Sequence, residues 1–420
     1  MWFGQFISSI GSGLTAFALG IYAFNITGTA TSYSTIVLLS FLPSVALQPI
    51  GGVVTDLMDR KSLMIIGDIG AALGIAFILL MMLSGVSSMW VIYTGVIISS
   101  LFLAIQIPTY KTAVTDLLHE EDYSKASGLI QLAQSSRYLI SPILAGFLMS
   151  IWNIKHVLIL DVATFLIAIV SIFAIKKTAA IHTHDTSLKL VFAHLIEGFR
   201  YTISHTGLPT LLFIMSLVTF FVGFLQALLG PMILSFADAK TLGIIQSASA
   251  TGMLVSSLFI GIFSKTKNLI KTLSFSTIIA GIFYALLGTS TNVYFLITVG
   301  FVFFCALPFI NTSFEVMIRK SIPCNIQGRI WSNIFFITQI GLVIALGIAG
   351  PLADYVFKPL LETNGALASS VGKIIGVGPG RGIGLIFILS GITLSIVAFL
   401  INHIASIKKL DTTKCEIDCL

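Results

Sequence analysis

The sequence predicts an all-α polytopic membrane protein whose twelve transmembrane helices form two six-helix bundles. Hydrophobic residues make up 56% of the 420 residues and charged residues only 10%, and the mean hydropathy is +1.02. Soluble domains carry about 25% charged residues, so this composition excludes soluble and disordered proteins. Long apolar segments recur along the whole chain, and basic residues concentrate in alternate connections. These observations together predict the fold class.

Each predicted span is an apolar segment close to the roughly 20 residues that a helix needs to cross the hydrocarbon layer. We expect residues 1–175 to form the N-terminal bundle and residues 208–405 the C-terminal bundle. Between them, residues 176–207 are predicted to form a cytoplasmic linker, in which 187–204 has the apolar spacing of an amphipathic helix. Residues 406–420 are predicted to form a cytoplasmic tail. The twelve spans are 2–24, 33–55, 63–84, 88–108, 126–150, 156–175, 209–236, 241–264, 269–288, 292–314, 330–357 and 383–404.

Basic residues set the predicted orientation. With both termini in the cytoplasm, 17 of the 23 Lys and Arg residues fall in cytoplasmic segments, five fall in outer segments, and Arg137 falls inside a span. This bias follows the positive-inside rule, and it explains the basic isoelectric point without a nucleic-acid partner. Residues 16–18 look like a signal-peptide cleavage site, but no basic residue precedes them. The first span is therefore predicted to remain uncleaved.

The two halves of the chain share several landmarks. Pro108 and Pro308 are separated by 200 residues, and so are Gly128 and Gly328. Pro108 and Gly128 flank one polar cytoplasmic segment, and Pro308 and Gly328 flank another. Pro108 is expected to end the fourth span. The shared order predicts two related halves.

The segment after the second span carries a loop signature. It contains Gly52, Asp56, Asp59, Arg60 and Lys61. Their spacing resembles the signature Gly-x-x-x-Asp-Arg/Lys-x-Gly-Arg-Arg/Lys of the major facilitator superfamily, with an acid in place of the second glycine. An acid before the Arg-Lys pair is similar to the drug–proton antiporter branch, which includes macrolide-efflux proteins and siderophore exporters.

This resemblance implies the major facilitator fold and a transport function. The expected activity is proton-coupled efflux of amphipathic small molecules, of the drug or macrolide type, by alternating access. The alternatives are export of a siderophore or another secondary metabolite, and flipping of lysophospholipids. The resemblance also implies a monomer in a bacterial cytoplasmic membrane, with a small-molecule substrate. No Walker lysine loop occurs in the sequence, so ATP is not expected to supply the energy and no cofactor is expected. An ion gradient is predicted to drive transport, and the resemblance implies that the ion is the proton.

The loop signature is predicted to form an inner gate. Asp56 would meet the positive N-terminus of a neighbouring helix, an interaction worth about 0.3–2 kcal/mol. Arg60 and Lys61 would neutralise Asp56, and Gly52 would allow close helix contact. The alternative is that these charges only fix the topology of the chain.

The fifth span combines a deep charge with a helix breaker. Arg137 lies about 12 residues into the span, a depth of about 18 Å, where an unpaired charge is costly. It is predicted to face a central cavity, or alternatively to be satisfied by helix carbonyls. Pro142 is predicted to kink this span, and Gly146 to allow tight helix packing.

Two acids within the spans are candidates for proton coupling. Asp161 lies in the sixth span, where burial favours the protonated form of a carboxyl group. The alternative is an acid that only holds two helices together by hydrogen bonds. Asp68 lies in the third span, and it is expected either to join the network of Asp56 and Arg60 or to titrate, with the network preferred.

Polar and flexible positions complete the candidate site. Gln226 and Gln246 are polar groups within spans seven and eight. Gly230 and Pro231 are predicted to break the seventh span and to act as an outer hinge. Glycine at every second position from 376 to 384 predicts a tight turn outside the membrane.

Overall fold

The protein is helical throughout the part of the chain that its computed structural model describes, which comprises residues 2–117, 123–173, 199–200, 203–204, 207–263, 268–322, 327–401 and 404. The helices are α1 (Trp2–Thr27), α2 (Ala30–Leu57), α3 (Arg60–Leu83), α4 (Met89–Leu117), α5 (Tyr123–Leu139), α6 (Ser141–Ile151), α7 (Ile154–Phe173), α8 (Leu208–Leu234), α9 (Ala239–Phe263), α10 (Leu269–Leu287), α11 (Val293–Ser321), α12 (Gln327–Pro351), α13 (Lys358–Leu360), α14 (Gly372–Ile375) and α15 (Arg381–Ile401). A π-helical turn, Leu352–Phe357, follows α12.

Eleven helices in this part of the chain are long and apolar enough to cross a membrane. Eleven of the predicted spans correspond to them. The remaining predicted span, 126–150, is divided into α5 and α6, because the chain is interrupted between Leu139 and Ser141. The all-α polytopic fold is therefore confirmed.

Short polar side chains mark the starts of several helices. Thr29 accepts a hydrogen bond from the Ser32 amide ahead of α2, and Asn292 accepts one from the Phe295 amide ahead of α11. Such N-caps satisfy amides that have no partner inside the helix. Because these residues lie in the polar connections, they fix where the apolar segments become helical.

The chain divides into two compact units. One comprises Met1–Val191 with Ala237–Ser247, and the other comprises Phe192–Phe236 with Ala248–Leu420. In the first unit α1 packs on α7, α3 packs on α4 and α7, and α2 packs on α4. In the second unit α10 packs on α11 and α15, and α8 packs on α12. The start of α9 therefore groups with the N-terminal helices.

Small residues bring helices close together in both units. A Cβ atom built on Gly74 of α3 would lie 2.6 Å from the Gly95 carbonyl oxygen of α4. A Cβ on Gly281 of α10 would lie 2.7 Å from the Gly391 carbonyl oxygen of α15. Packing of this kind replaces the hydrophobic driving force that helices lack in lipid.

The core of the second unit is aromatic. Tyr284 is fully buried, and its ring lies 5.5 Å from that of Phe303 and 5.2 Å from that of Phe387. Its hydroxyl donates a 3.0 Å hydrogen bond to the carbonyl of Phe221, which ties α10 to α8. The polar end of the buried tyrosine is thereby satisfied.

One predicted helix end and one predicted helix break are wrong, and both involve proline. Helix α4 continues beyond Pro108 to Leu117, and α8 continues through Pro231 to Leu234. A proline inside a helix removes one amide donor and bends the axis, and neighbouring helices in a membrane protein tolerate this defect. Pro308 likewise lies inside α11, and α4 and α11 are both 29 residues long.

Several predictions fall outside the described residues. These are the cytoplasmic tail and most of the linker, including the amphipathic helix over 187–204, of which only 199–200 and 203–204 are described, as helix. The turn predicted at the glycine-rich segment is present, because Gly376, Gly378 and Gly380 have φ angles of 90°, 115° and 79°. Only glycine adopts such angles without strain.

Candidate functional site

A polar cavity lies within the first unit. It encloses about 510 Å³ of empty space, including its open side. Helices α1, α2, α3, α4, α5 and α7 contribute to its wall, which combines six hydroxyl side chains with one acid and one base. The lining residues are Ser12, Thr15, Ala16, Leu19, Ser40, Ser44, Ile75, Val96, Ser99, Ser100, Leu103, Ile107, Arg137 and Asp161.

Asp161 is the buried acid of this cavity. It lies in α7 and is 1% exposed. The Thr164 hydroxyl, three residues later, lies 2.7 Å from the backbone carbonyl of Asp161 and 3.3 Å from its carboxyl oxygen Oδ1. The Thr15 hydroxyl of α1 lies close to this carboxyl group, but neither it nor the other carboxyl oxygen, Oδ2, completes a hydrogen bond of good geometry within the described residues. The acid is therefore held in place but only partly satisfied.

Two glycines of α1 make room for the cavity groups. A Cβ atom on Gly11 would collide with the Thr164 hydroxyl and would lie 2.7 Å from Oδ1 of Asp161. A Cβ on Gly13 would lie 2.9 Å from Cγ of Arg137. Sequence reasoning did not select these glycines. The two glycines on either side of Ser12, in the middle of an apolar span, were the sequence signal for a close approach of other side chains to α1.

Arg137 shares the cavity of the first unit with Asp161, while its exposure to a central cavity stays a prediction. It lies in the last turn of α5 and is half-buried. The structure thus brings together a deep base and a buried acid that are 24 positions apart in the sequence. An arginine lining a cavity of this polarity is able to hold an anionic group or to stabilise an ionised carboxylate.

Pro142 interrupts the helix directly after Arg137. It occupies the first turn of α6, and Ile140 joins α5 to α6. The neighbouring Ser141 hydroxyl donates a 3.0 Å hydrogen bond to the Ile10 carbonyl of α1. The predicted kink is therefore present and is fastened to the helix that carries Gly11.

The outer half of the interrupted span packs on the start of α9. The Ile143 amide donates a 3.1 Å hydrogen bond to the Ser247 hydroxyl. A Cβ atom on Gly146 would lie 2.5 Å from the Ala239 carbonyl oxygen. The predicted packing role of Gly146 thus has a structural counterpart within the first unit.

A second polar cluster lies in the same unit and surrounds Asp68. Asp68 is fully buried, and its Oδ2 accepts a 3.0 Å hydrogen bond from the Gln5 amide of α1. The Gln5 side-chain oxygen in turn accepts a 2.7 Å hydrogen bond from Gln106 of α4. Asp68 lies two turns into α3, and this hydrogen bond ties it to α1. The network with Asp56 and Arg60 stays a prediction, because the side chain of Asp56 is outside the described set.

The loop signature has mixed roles in the structure. Gly52 and Asp56 lie in the last two turns of α2, and their side chains are outside the described set. Asp59 caps α3, because its Oδ2 accepts hydrogen bonds from the Ser62 amide at 2.9 Å and from the Ser62 hydroxyl at 2.7 Å. This explains why an acid replaces the glycine at position 59.

The basic pair of the loop begins α3. Arg60 is the first residue of that helix and is half-buried. Lys61 donates a 3.2 Å hydrogen bond to the carbonyl of Phe173 and lies 6.0 Å from the centre of its ring. Lys61 therefore joins the start of α3 to the end of α7, while the gate role of the pair stays a prediction.

The remaining candidates do not line the Asp161 cavity. Gln226 lies half-buried on α8 and Gln246 half-buried near the start of α9. Gly230 and Pro231 are buried in the last two turns of α8, and their hinge role stays a prediction. Among the described residues, no group of three or more His, Cys, Asp or Glu side chains is arranged to hold a metal ion.

Comparisons with known proteins agree on one family. Residues 1–346 match the model described as Major Facilitator Superfamily. Macrolide efflux protein A of Streptococcus pyogenes is 26% identical over 98% of this chain and 96% of that protein. The uncharacterized MFS-type transporter YfiS of Bacillus subtilis is 24% identical over 89% of this chain and 91% of that protein.

Solved structures show the same fold at low sequence identity. The nucleoside transporter NupG has a TM-score of 0.72 at 16% identity, over 96% of this chain and 98% of that one. A bacterial homolog of the human lysosomal transporter Spinster has a TM-score of 0.69 at 12% identity, over 98% and 96% of the two chains.

Proposed function

Since this chain belongs to the Major Facilitator Superfamily and is a multi-pass membrane transporter, we propose that it exports amphipathic small molecules of the drug or macrolide type in exchange for protons. The relatives named macrolide efflux protein A support the substrate class. The observation that carries the proposal is the buried acid Asp161, which shares a membrane-embedded cavity with Arg137.

The chemistry of the cavity suits proton exchange. An ionised carboxylate within a membrane is costly unless a cation or several hydrogen bonds compensate it. Asp161 has one hydrogen bond from Thr164 to its carboxyl group and an unpartnered Oδ2. Its protonated form avoids the charge penalty, whereas Arg137 or a cationic substrate stabilises the ionised form. Substrate binding and protonation therefore compete for one group, which is the requirement for antiport.

The cavity wall also suits an amphipathic ligand. Apolar side chains such as Leu19, Ile75 and Leu103 alternate with hydroxyls such as Ser40 and Ser99. Apolar surface supplies most of the binding free energy, and a few polar groups fix the orientation of the ligand. Hydroxyl groups donate and accept hydrogen bonds equally well, so they suit a substrate with both functions.

Transport would proceed by alternating access, in which the site opens to one side of the membrane at a time. The interruption at Pro142 supports this proposal, because it sits between Arg137 and the segment that packs on α9. We also infer a monomer in the bacterial cytoplasmic membrane with both termini in the cytoplasm, since most Lys and Arg residues then face inward.

Proteoliposomes that enclose a pH-sensitive dye would test the proposal. Macrolides, cationic dyes, siderophores and lysolipids are added one at a time under an imposed pH gradient. We expect a macrolide or cationic dye to drive proton movement, and Asp161→Asn to abolish it. Glu362→Gln is the matched control, because Glu362 is an exposed acid in an outer connection.

Each outcome of this experiment is informative. Movement that survives in Asp161→Asn would exclude Asp161 as the coupling acid. Movement driven only by siderophores or lysolipids would replace the drug-type substrate with one of those classes. Labelled macrolide uptake without proton movement would refute antiport and would indicate a uniporter or flippase.

A further inference from the structure

One face of α1 is polar within an otherwise apolar helix. Gln5, Ser8, Ser12 and Thr15 follow one another at intervals of three, four and three residues. This spacing places them on one side of the helix, over a rise of about 15 Å at 1.5 Å per residue. Gln5, Ser8 and Thr15 are 8%, 4% and 3% exposed, so the face is turned into the unit and not toward lipid.

A buried acid lies at each end of this polar face. Gln5 donates to Asp68 at the end near the start of α1. At the other end, Thr15 and Ser12 line the same cavity as Asp161. The two acids come from α3 and α7, which pack on each other, and α1 reaches Asp68 through Gln5 and packs on α7.

Buried side-chain oxygens that lack a hydrogen-bond partner concentrate along the polar face of α1. Within the described residues, four buried side-chain oxygens have no hydrogen-bond partner. Three of them are Oδ1 of Asp68, Oγ1 of Thr15 and Oδ2 of Asp161. The fourth is the hydroxyl of Tyr110, which lies on α4 one turn beyond Gln106. Buried polar atoms are almost always paired, so such a concentration indicates groups that exchange protons or bind transient water.

The hydrogen bonds at Asp68 have a defined direction. Gln106 donates to Gln5, and Gln5 therefore directs its own amide group at Oδ2 of Asp68. A Cβ atom on Gly67 would lie 2.6 Å from Cβ of Gln106, so this glycine lets the amide pair approach α3. Oδ2 is an acceptor in this arrangement, and Oδ1 is the position left for a proton.

We propose that the polar face of α1 is the cytoplasmic half of a proton path, with Asp161 and Asp68 as its two proton-carrying groups and Gln5 as the residue that positions the Asp68 carboxyl group. The inference rests on the proposed proton exchange. Asp161 loses one proton to the hydroxyl and water chain along α1. Each hydroxyl or water of the chain accepts one proton and passes one on, and the Asp68 carboxylate gains one at Oδ1 before releasing it to the cytoplasm. The Gln5 amide stays hydrogen-bonded to Oδ2 and carries no proton.

The charges around the path are compatible with proton movement from Asp161 toward Asp68. Arg137 of α5 is the charged group that shares the Asp161 cavity, where α1, α2 and α4 contribute hydroxyls. Around Asp68, α1 and α4 contribute the amides of Gln5 and Gln106, and Tyr110 lies farther along α4. Helix α7 meets the start of α3 through the apolar Ile172 and through Phe173, whose carbonyl accepts a hydrogen bond from Lys61, about two turns before Asp68. A proton leaving Asp161 thus moves away from the positive charge of Arg137.

The test compares two modes of transport in proteoliposomes with a radiolabelled macrolide. Proton-coupled uptake requires the complete path, whereas counterflow exchange of labelled for unlabelled macrolide requires only binding and alternating access. We expect Asp68→Asn and Gln5→Leu to lower proton-coupled uptake at least 10-fold and to leave counterflow within about 2-fold of the unmodified protein. Gln131→Leu, an exposed glutamine of α5, is the matched control for Gln5→Leu.

The outcomes separate this inference from the proposed function. If the unmodified protein moves no protons with the macrolide, the proposed antiport fails and the path fails with it. If it moves protons and both variants do so equally well, the path is refuted and antiport stands. Parallel loss of coupling and counterflow would assign Asp68 and Gln5 a structural role only. Recovery of coupling in Asp68→Glu, with counterflow intact throughout, would support the path.

Discussion

The replacement of Gly11 by alanine tests how closely α1 approaches the buried acid. An added Cβ atom at this position would collide with the Thr164 hydroxyl and would come within 2.7 Å of Oδ1 of Asp161. Either Thr164 must rotate, which breaks its 3.3 Å hydrogen bond to Asp161, or α1 must move away from α7. The substitution thus acts on the geometry of the cavity without changing its charge.

The expected change in the free energy of unfolding combines two destabilising contributions and one stabilising contribution. Overpacking of a tightly packed site costs about 1–3 kcal/mol. Loss of the Thr164 hydrogen bond adds about 0.5–1.5 kcal/mol. Alanine is preferred over glycine in a helix by about 1 kcal/mol, which offsets part of the total. We therefore expect Gly11→Ala to reduce the free energy of unfolding by about 0.5–3.5 kcal/mol.

The matched control is Gly261→Ala on α9. Nothing lies within 4 Å of a Cβ atom built at this position, so the substitution should be neutral or mildly stabilising. Thermal unfolding in detergent is monitored as the loss of the monodisperse protein peak. Both variants are compared with the unmodified protein in this measurement. A Gly11→Ala protein as stable as Gly261→Ala, with unchanged transport, would refute the close approach of α1 to Asp161.

Three further predictions concern other parts of the fold. Pro142→Ala should restore a continuous helix and slow macrolide transport several-fold without loss of thermal stability; an unchanged rate would contradict a role for this interruption in alternating access. Tyr284→Phe should lower stability by about 1 kcal/mol through the lost bond to Phe221, with transport retained, and equal melting temperatures would argue against that bond. The hydrogen bonds from Thr241 hold the pKa of the Asp238 carboxyl below its ordinary value of 3.8. Its stabilisation is then present above about pH 4 and lost as the pH falls through the lowered pKa. Asp238→Ala, which removes this cap of α9, should therefore destabilise by about 0.5–1 kcal/mol at pH 7 and by less at pH 3; a difference independent of pH would contradict the charged cap.

The features that sequence predicts well are those with local physical causes. Apolar segments of sufficient length become helices in a membrane because backbone groups must be paired internally. Pro142 was identified as a break because it has no amide hydrogen to donate. Asp161 and Arg137 were selected because ionisable groups are rare inside spans, and the structure places both in one cavity.

The features that sequence does not predict depend on contacts between distant segments. Gln5 is 63 positions from Asp68 and 101 positions from Gln106, and no spacing rule connects them. Glutamine also has no strong preference between a core cluster and a cavity wall. The predicted end at Pro108 and the predicted break at Pro231 are wrong for a similar reason, because packing against neighbouring helices decides whether a proline interrupts a helix or only bends it.

The position of Arg137 follows from the same proline that interrupts its helix. Pro142 has no amide hydrogen for the Tyr138 carbonyl, and the Ile143 amide donates to the Ser247 hydroxyl. The carbonyl groups of Tyr138 and Leu139 therefore lack their usual helical amide donors, and Arg137 lies in the last turn of α5. The negative end of a helix stabilises a nearby cation by about 0.3–2 kcal/mol. An uninterrupted span would remove that stabilisation at the depth where a charge costs most. The break at Pro142 thus does more than allow bending, because it also helps a positive charge to remain beside Asp161 inside the membrane.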